Sequence, residues 1–98
     1  MKISENSIDT PCTRPCRLNG IEEYTLADEI MLYCCERETA FALNSSAKMI
    51  WELCNGRYTI AEISRELGQR FGCSGDLLLS EIRETIIRLC NLGLLELE

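Results

Sequence analysis

Seven cysteines are the side chains most able to do chemistry in this chain of 98 residues. Cys12 and Cys16 make a C-x3-C pair, Cys34 and Cys35 are adjacent, and Cys54, Cys73 and Cys90 stand singly. Thiolates are metal ligands, but a tetrahedral zinc site takes four donors, and Cys12 with Cys16 supplies two. A radical S-adenosylmethionine cluster uses C-x3-C-x2-C, and the third position here is Asn19. The pair therefore reads as reduced thiols in a polar tail, with a metal completed by another chain's ligands as the alternative. Cys34 and Cys35 fall on a predicted strand, where successive side chains point to opposite faces, so they do not share one ion. Cys54 and Cys90 lie on apolar stripes and read as small core residues, with a groove-facing position as the alternative for Cys90. Cys73, in a predicted loop, is the thiol to test for reactivity. An odd cysteine count with no visible secretory signal argues against a disulfide framework.

The other reactive groups narrow the chemistry further. There is no histidine, so the commonest general base and metal ligand is missing. Paired carboxylates for acid–base work need a cleft, and a domain this small has room for one modest core only. No catalytic residue, metal ligand or cofactor site is expected, and the chain reads as not an enzyme. The net charge of −6 and pI near 4.7 oppose nucleic-acid binding, which draws most of its affinity from neutralised phosphates. No apolar run approaches the roughly 20 residues of a spanning helix, and the N-terminus lacks the apolar stretch of a signal peptide. A cytoplasmic protein without membrane contact is expected.

Residues 1–17 are polar, carry both prolines and read as a flexible tail; residues 18–98 read as one domain. "EYTLADEIMLYCCERETAFAL" has strand composition, giving strands near Glu22–Leu26, Ile30–Cys35 and Thr39–Leu43, with "ADE" and "ERE" as turns. At Asn44 the period changes. Ala47, Ile50, Trp51 and Cys54 recur at helical spacing, with Asn44, Ser45 or Ser46 as N-cap and Asn55-Gly56 as the stop. Trp51, the only tryptophan, reads as core. "TIAE" fits a capping box from Thr59 to Glu62, opening a helix striped by Ile60, Ile63, Leu67 and Phe71. A third helix is predicted over Asp76–Asn91. Its apolar positions (Leu78, Leu79, Ile82, Ile86, Ile87, Leu89, Cys90) are wider than one stripe, so it should face two things. Gly93 ends it, and "LLELE" returns as a short strand. The fold class is α+β: a winged helix-turn-helix with an N-terminal three-stranded antiparallel sheet, three helices and a short C-terminal strand.

Phe41, Leu43-Asn44, Ile50-Trp51, Asn55-Gly56, Thr59-Ile60, Glu62-Ile63, Leu89 and Gly93-Leu94-Leu95 together resemble the PqqD family of pyrroloquinoline quinone biosynthesis, over about residues 22–98. The resemblance implies a non-catalytic peptide-recognition module for ribosomally made, post-translationally modified peptides. Such a module holds the precursor's leader and delivers it to a modifying enzyme, often a radical S-adenosylmethionine protein. The leader adds as a strand to the sheet edge and lies between the third strand and the third helix. Unpaired edge groups can template such a strand, with affinity from main-chain hydrogen bonds and specificity from side-chain pockets. The expected receiving edge is Thr39, Ala40, Phe41, Ala42 and Leu43. The expected helical wall is Leu79, Arg83, Ile86, Ile87 and Cys90, with Arg83 and Arg88 available for leader carboxylates. The cysteine richness is absent from the family pattern.

The rival from another class is a winged-helix transcription regulator. A DNA-reading helix carries basic and amide side chains toward bases and phosphates, whereas Gly75–Glu98 has five acids and two bases. A thiol or metal protein using the tail is a third reading. Glu22, Glu23, Asp28, Glu29, Glu36 and Glu38 read as solvated, with steering of a basic partner as the functional alternative. A monomer is expected, with an edge-paired or strand-swapped dimer as the alternative.

Overall fold

The computed structural model describes residues 13–72 and 76–97. In chain order the elements are β1 (Pro15–Arg17), β2 (Ile21–Leu26), β3 (Glu29–Cys34), β4 (Thr39–Leu43), α1 (Ser45–Leu53), α2 (Ile60–Phe71), α3 (Asp76–Asn91) and β5 (Leu95–Leu97). This is the expected α+β fold, with a three-stranded antiparallel sheet, three helices and a C-terminal strand.

The sheet runs β2-β3-β4. Its first turn is two residues long, because Leu26 pairs with Glu29. Ala27 takes φ 56° there, the left-handed region that tight hairpins require. The second turn spans residues 35–38, since Cys34 pairs with Thr39. Alternation then sorts the side chains. Ile30, Leu32 and Cys34 point inward and are buried, as is Leu43. Ile30, Leu32 and Leu43 share one core cluster with Ala47, Ile50, Trp51 and Leu53 of α1, Ile60, Ile63 and Leu67 of α2, and Ile82, Ile86 and Leu89 of α3.

Local chemistry sets the helix ends. Asn44 Oδ1 accepts from the Ala47 amide at 2.9 Å. Thr59 Oγ1 accepts from the Glu62 amide at 3.2 Å, while Glu62 Oε1 accepts from the Thr59 amide at 2.9 Å. This reciprocal box satisfies two otherwise orphaned donors. Helix α1 stops two residues earlier than expected: its C-cap is Cys54, whose amide bonds the Trp51 carbonyl at 3.0 Å. Asn55-Gly56 forms the turn beyond it, with Gly56 at φ 82°.

One boundary is corrected. Pro15–Arg17, assigned above to the tail, form a strand antiparallel to β5, with Pro15 opposite Leu97 and Arg17 opposite Leu95. A lone C-terminal strand would leave its backbone groups unpaired. Strand β1 supplies the partner and reaches further, bonding the α1–α2 connection through Arg17 N to Cys54 O at 3.1 Å and Gly56 N to Pro15 O at 3.0 Å. Thr13, also assigned to the tail, is buried; residues 1–12, Cys12 included, lie outside the described residues, as does Cys73.

Candidate functional site

Strand β3 has a neighbour on each side, so β4 is an edge. The register decides which of its backbone groups are free. In a two-residue hairpin the flanking residues exchange hydrogen bonds, and bonded pairs then alternate along the ladder. Leu26–Glu29 is the flanking pair, so Met31 and Tyr33 also bond toward β2. Ile30, Leu32 and Cys34 then bond toward β4, at Leu43, Phe41 and Thr39. Ala40 and Ala42 are left with their N–H and C=O groups directed outward. Two small side chains at these positions leave the edge sterically open.

A groove of about 550 Å³ runs beside this edge. Ala40, Phe41, Ala42 and Leu43 form one wall, and Arg88 and Leu92, one helical turn apart, form the other. Asn44 and Ala47 at the start of α1 close one end. At the opposite end the Arg37 guanidinium donates to the Leu92 carbonyl, joining the β3–β4 turn to the C-terminal end of α3. Cations are favourable there because the helix ends in unsatisfied carbonyls. The guanidinium occupies the space beside Gly93, where an added Cβ would come within 2.7 Å of Arg37 Nη2. Gly93 has φ +78°, a conformation that strains any other L residue, and a side chain there would also displace the guanidinium. The nearby Arg37 guanidinium also holds the Cys34 thiol below its ordinary pKa. A smaller apolar cavity of about 260 Å³ lies among the three helices, between Ile50, Leu67, Leu78 and Ile82, with Phe71 among its lining residues.

The expected edge residues are thus placed together, and Ala40–Leu43 line the groove. The expected helical wall is not the one that lines it. At roughly 100° per residue, Leu79, Arg83, Ile87 and Cys90 fall on the flank of α3 away from Arg88 and Leu92. Ile86 is fully buried in the core, and Leu79, Ile87 and Cys90 are half-buried against it. Helix α3 packs on α1, α2 and β5, which accounts for an apolar face wider than one stripe. Arg88, noted for its charge, is the basic residue on the groove; Leu92 was missed because it follows the last helical residue. Its signal was the i, i+4 spacing from Arg88.

The remaining candidates are structural. Trp51 is fully buried, and its indole Nε1 donates to Glu23 Oε1 at 3.1 Å. Arg17 pairs with the other Glu23 oxygen at 3.7 Å and stacks over the indole, 5.7 Å from the ring centre. Glu23 is therefore a link between β1, β2 and α1. Cys34, the last residue of β3, is buried and Cys35, in the turn that follows, is exposed. Burial pushes the Cys54 thiol up to about 12 and the Cys90 thiol up to about 11. Among the described residues no group of three or more metal-binding side chains comes together, and no helix is long and apolar enough to cross a membrane.

A family model for coenzyme PQQ synthesis protein D (PqqD) matches residues 29–95. The chain belongs to the PqqD family. The matched span runs from the start of β3 to β5 and so contains both walls of the groove. Among solved structures, this PqqD-family chain has the fold of the one titled "TbiB1 in Complex with the TbiA(beta) Leader Peptide", with a TM-score of 0.75 and 21% sequence identity over 83% of this chain and 94% of that one. No curated protein matches the chain.

Proposed function

We propose that this PqqD-family chain is a non-catalytic adaptor that binds the leader of a ribosomally made precursor peptide. The peptide pairs with β4 as an added strand and is presented to a modifying enzyme, in pyrroloquinoline quinone or related peptide-product biosynthesis. The observation that carries the reading is the free edge at Ala40 and Ala42 beside a groove whose far wall is Arg88 and Leu92. Main-chain bonds to the edge supply affinity, and the groove supplies side-chain selection. Arg88 suits a leader carboxylate, and the cavity between Ile50, Leu67 and Leu78 suits an apolar leader side chain beyond the strand. A structure of similar fold contains a leader peptide, which supports the same use of the fold.

In this reading the helical half is a winged helix-turn-helix, with α2 and α3 as the helix pair and the β1–β5 ribbon as the wing. Its third helix carries Glu81 and Glu84 beside Arg83 and Arg88, a balance suited to peptide rather than phosphate. The site of action is the cytoplasm, where precursor peptides are made, and the enzyme served is of the radical S-adenosylmethionine class. Calorimetric titration with a synthetic leader of the precursor encoded beside this chain is the test. Saturable one-to-one binding is expected. Absence of saturable binding, both alone and with the enzyme added, overturns the reading.

A further inference from the structure

Among the described residues, the outer face of the three-stranded sheet carries a strip of exposed apolar side chains bordered by Glu22 and Glu29. In the register, Met31 is flanked by Tyr24 on β2 and Ala42 on β4, and Tyr33 by Glu22 and Ala40. These side chains share the face opposite Ile30, Leu32 and Cys34. Tyr24 is 47% exposed, Leu26 66% and Met31 36%. Contiguous exposed apolar surface of this kind marks an interaction site more often than scattered single residues do. The surroundings are acidic: of the six acids in residues 21–43, Glu23 is held on the inner side by Arg17 and Trp51, while Glu22, Asp28, Glu29, Glu36 and Glu38 are exposed, and the one base, Arg37, is engaged at the end of α3.

We infer that this face is a docking surface for a protein that presents an apolar centre within a basic rim. Resting on the adaptor reading, that protein is the enzyme that modifies the peptide. The charge pattern selects this occupant. A second copy would set like charges opposite each other, which is destabilising. An anionic membrane would be repelled. An added strand needs an edge, and the groove edge lies on β4, so a peptide in the groove and a protein on the outer face can be held together. The face is roughly 17 Å along the strands and about 10 Å across them. That is small beside the ~800 Å² per partner of a stable interface, so the contact is a transient one steered by charge. Tyr24 is the expected anchor, since tyrosine is among the side chains that dominate interface energetics.

The test measures capture of the modifying enzyme encoded beside this chain by the full chain and its variants, with leader titrations run in parallel. Met31→Lys is expected to weaken enzyme capture at least tenfold and to leave leader affinity unchanged. Glu22→Lys with Glu36→Lys, both on exposed residues, is expected to slow association and to remove its salt dependence; this pair decides the matter if Met31→Lys does not fold. Capture equal to wild type by the lysine pair overturns the inference, as does wild type failing to capture the enzyme with or without leader. So does a wild-type dimer, seen by sedimentation, that Met31→Lys dissolves, because the face would then belong to a second copy. Enzyme capture reads this surface separately from leader binding. A chain that captures the enzyme but binds no leader refutes the groove reading and not the docking surface.

Discussion

Arg37 donates from its guanidinium to the carbonyl of Leu92, 55 residues further along the chain. This bond fixes the turn before β4 against the end of α3 and so sets the separation of the two groove walls at that end. Arg37→Ala should cost about 1 kcal/mol of stability, the usual net worth of one hydrogen bond. It should weaken leader binding several-fold, because the walls are no longer held. Urea unfolding and calorimetry on the same variant check both effects.

The wall assignment on α3 makes a contrast between neighbouring positions. Arg88→Glu and Leu92→Asp should each weaken leader binding tenfold or more, which is about 1.4 kcal/mol. Ile87→Ala, on the other flank, should lower stability and leave the affinity alone. Ile86→Ala should cost roughly 2–5 kcal/mol of stability as a core truncation. Affinity and unfolding midpoints for the four variants separate wall from core.

The capping box predicts a pH dependence. Glu62 has its pKa lowered, first by the backbone hydrogen bond from Thr59 and then by the Thr59 side chain. A carboxylate with a depressed folded-state pKa adds stability above its unfolded pKa, and that stability is lost as pH falls through the folded value. Wild type should therefore lose stability in acid more steeply than Glu62→Gln, with the two curves converging at the acid end. Thr59→Ala should cost about 1 kcal/mol at neutral pH. Thermal melts across the acid range show the difference in slope.

Thiol reactivity should follow burial. With Cys54 pushed up to about 12 and Cys90 to about 11, almost no thiolate is present at either near pH 8, and the thiolate is the nucleophile. Iodoacetamide should modify exposed Cys35 well before Cys54 or Cys90, as read by peptide mapping over time. Equal rates at the three positions would mean that the helices open readily.

Local signals carried most of the fold. Asn44, Thr59 and Glu62 act within a few residues of themselves, so their caps were readable from spacing, and the strand at Thr39–Leu43 was readable from composition. Strand β1 was not, because Pro15–Arg17 is a strand only by virtue of Leu95–Leu97, a pairing across most of the chain. The edge of the site was legible for the same reason that β4 was. The helical wall was not, because an over-wide apolar face does not say which neighbour uses it. That Ile86 lies in the core with Ile87 and Cys90 half-buried against it, while Arg88 and Leu92 line the groove, is a tertiary fact. Glu23 looked like one more solvated acid, and only the fold reveals the Trp51 indole that it accepts from.

The central claim is that the outward backbone groups of Ala40 and Ala42 receive a peptide strand. Ala42→Pro tests it most directly. Proline removes one outward N–H and is tolerated on an edge strand when that group faces solvent. The β3–β4 ladder, which uses Leu43, Phe41 and Thr39, should stay intact. Calorimetric titration of wild type and Ala42→Pro with the leader should show a loss of at least tenfold in affinity at a nearly unchanged melting temperature. Equal affinity in the two proteins, both folded, would contradict strand addition at β4.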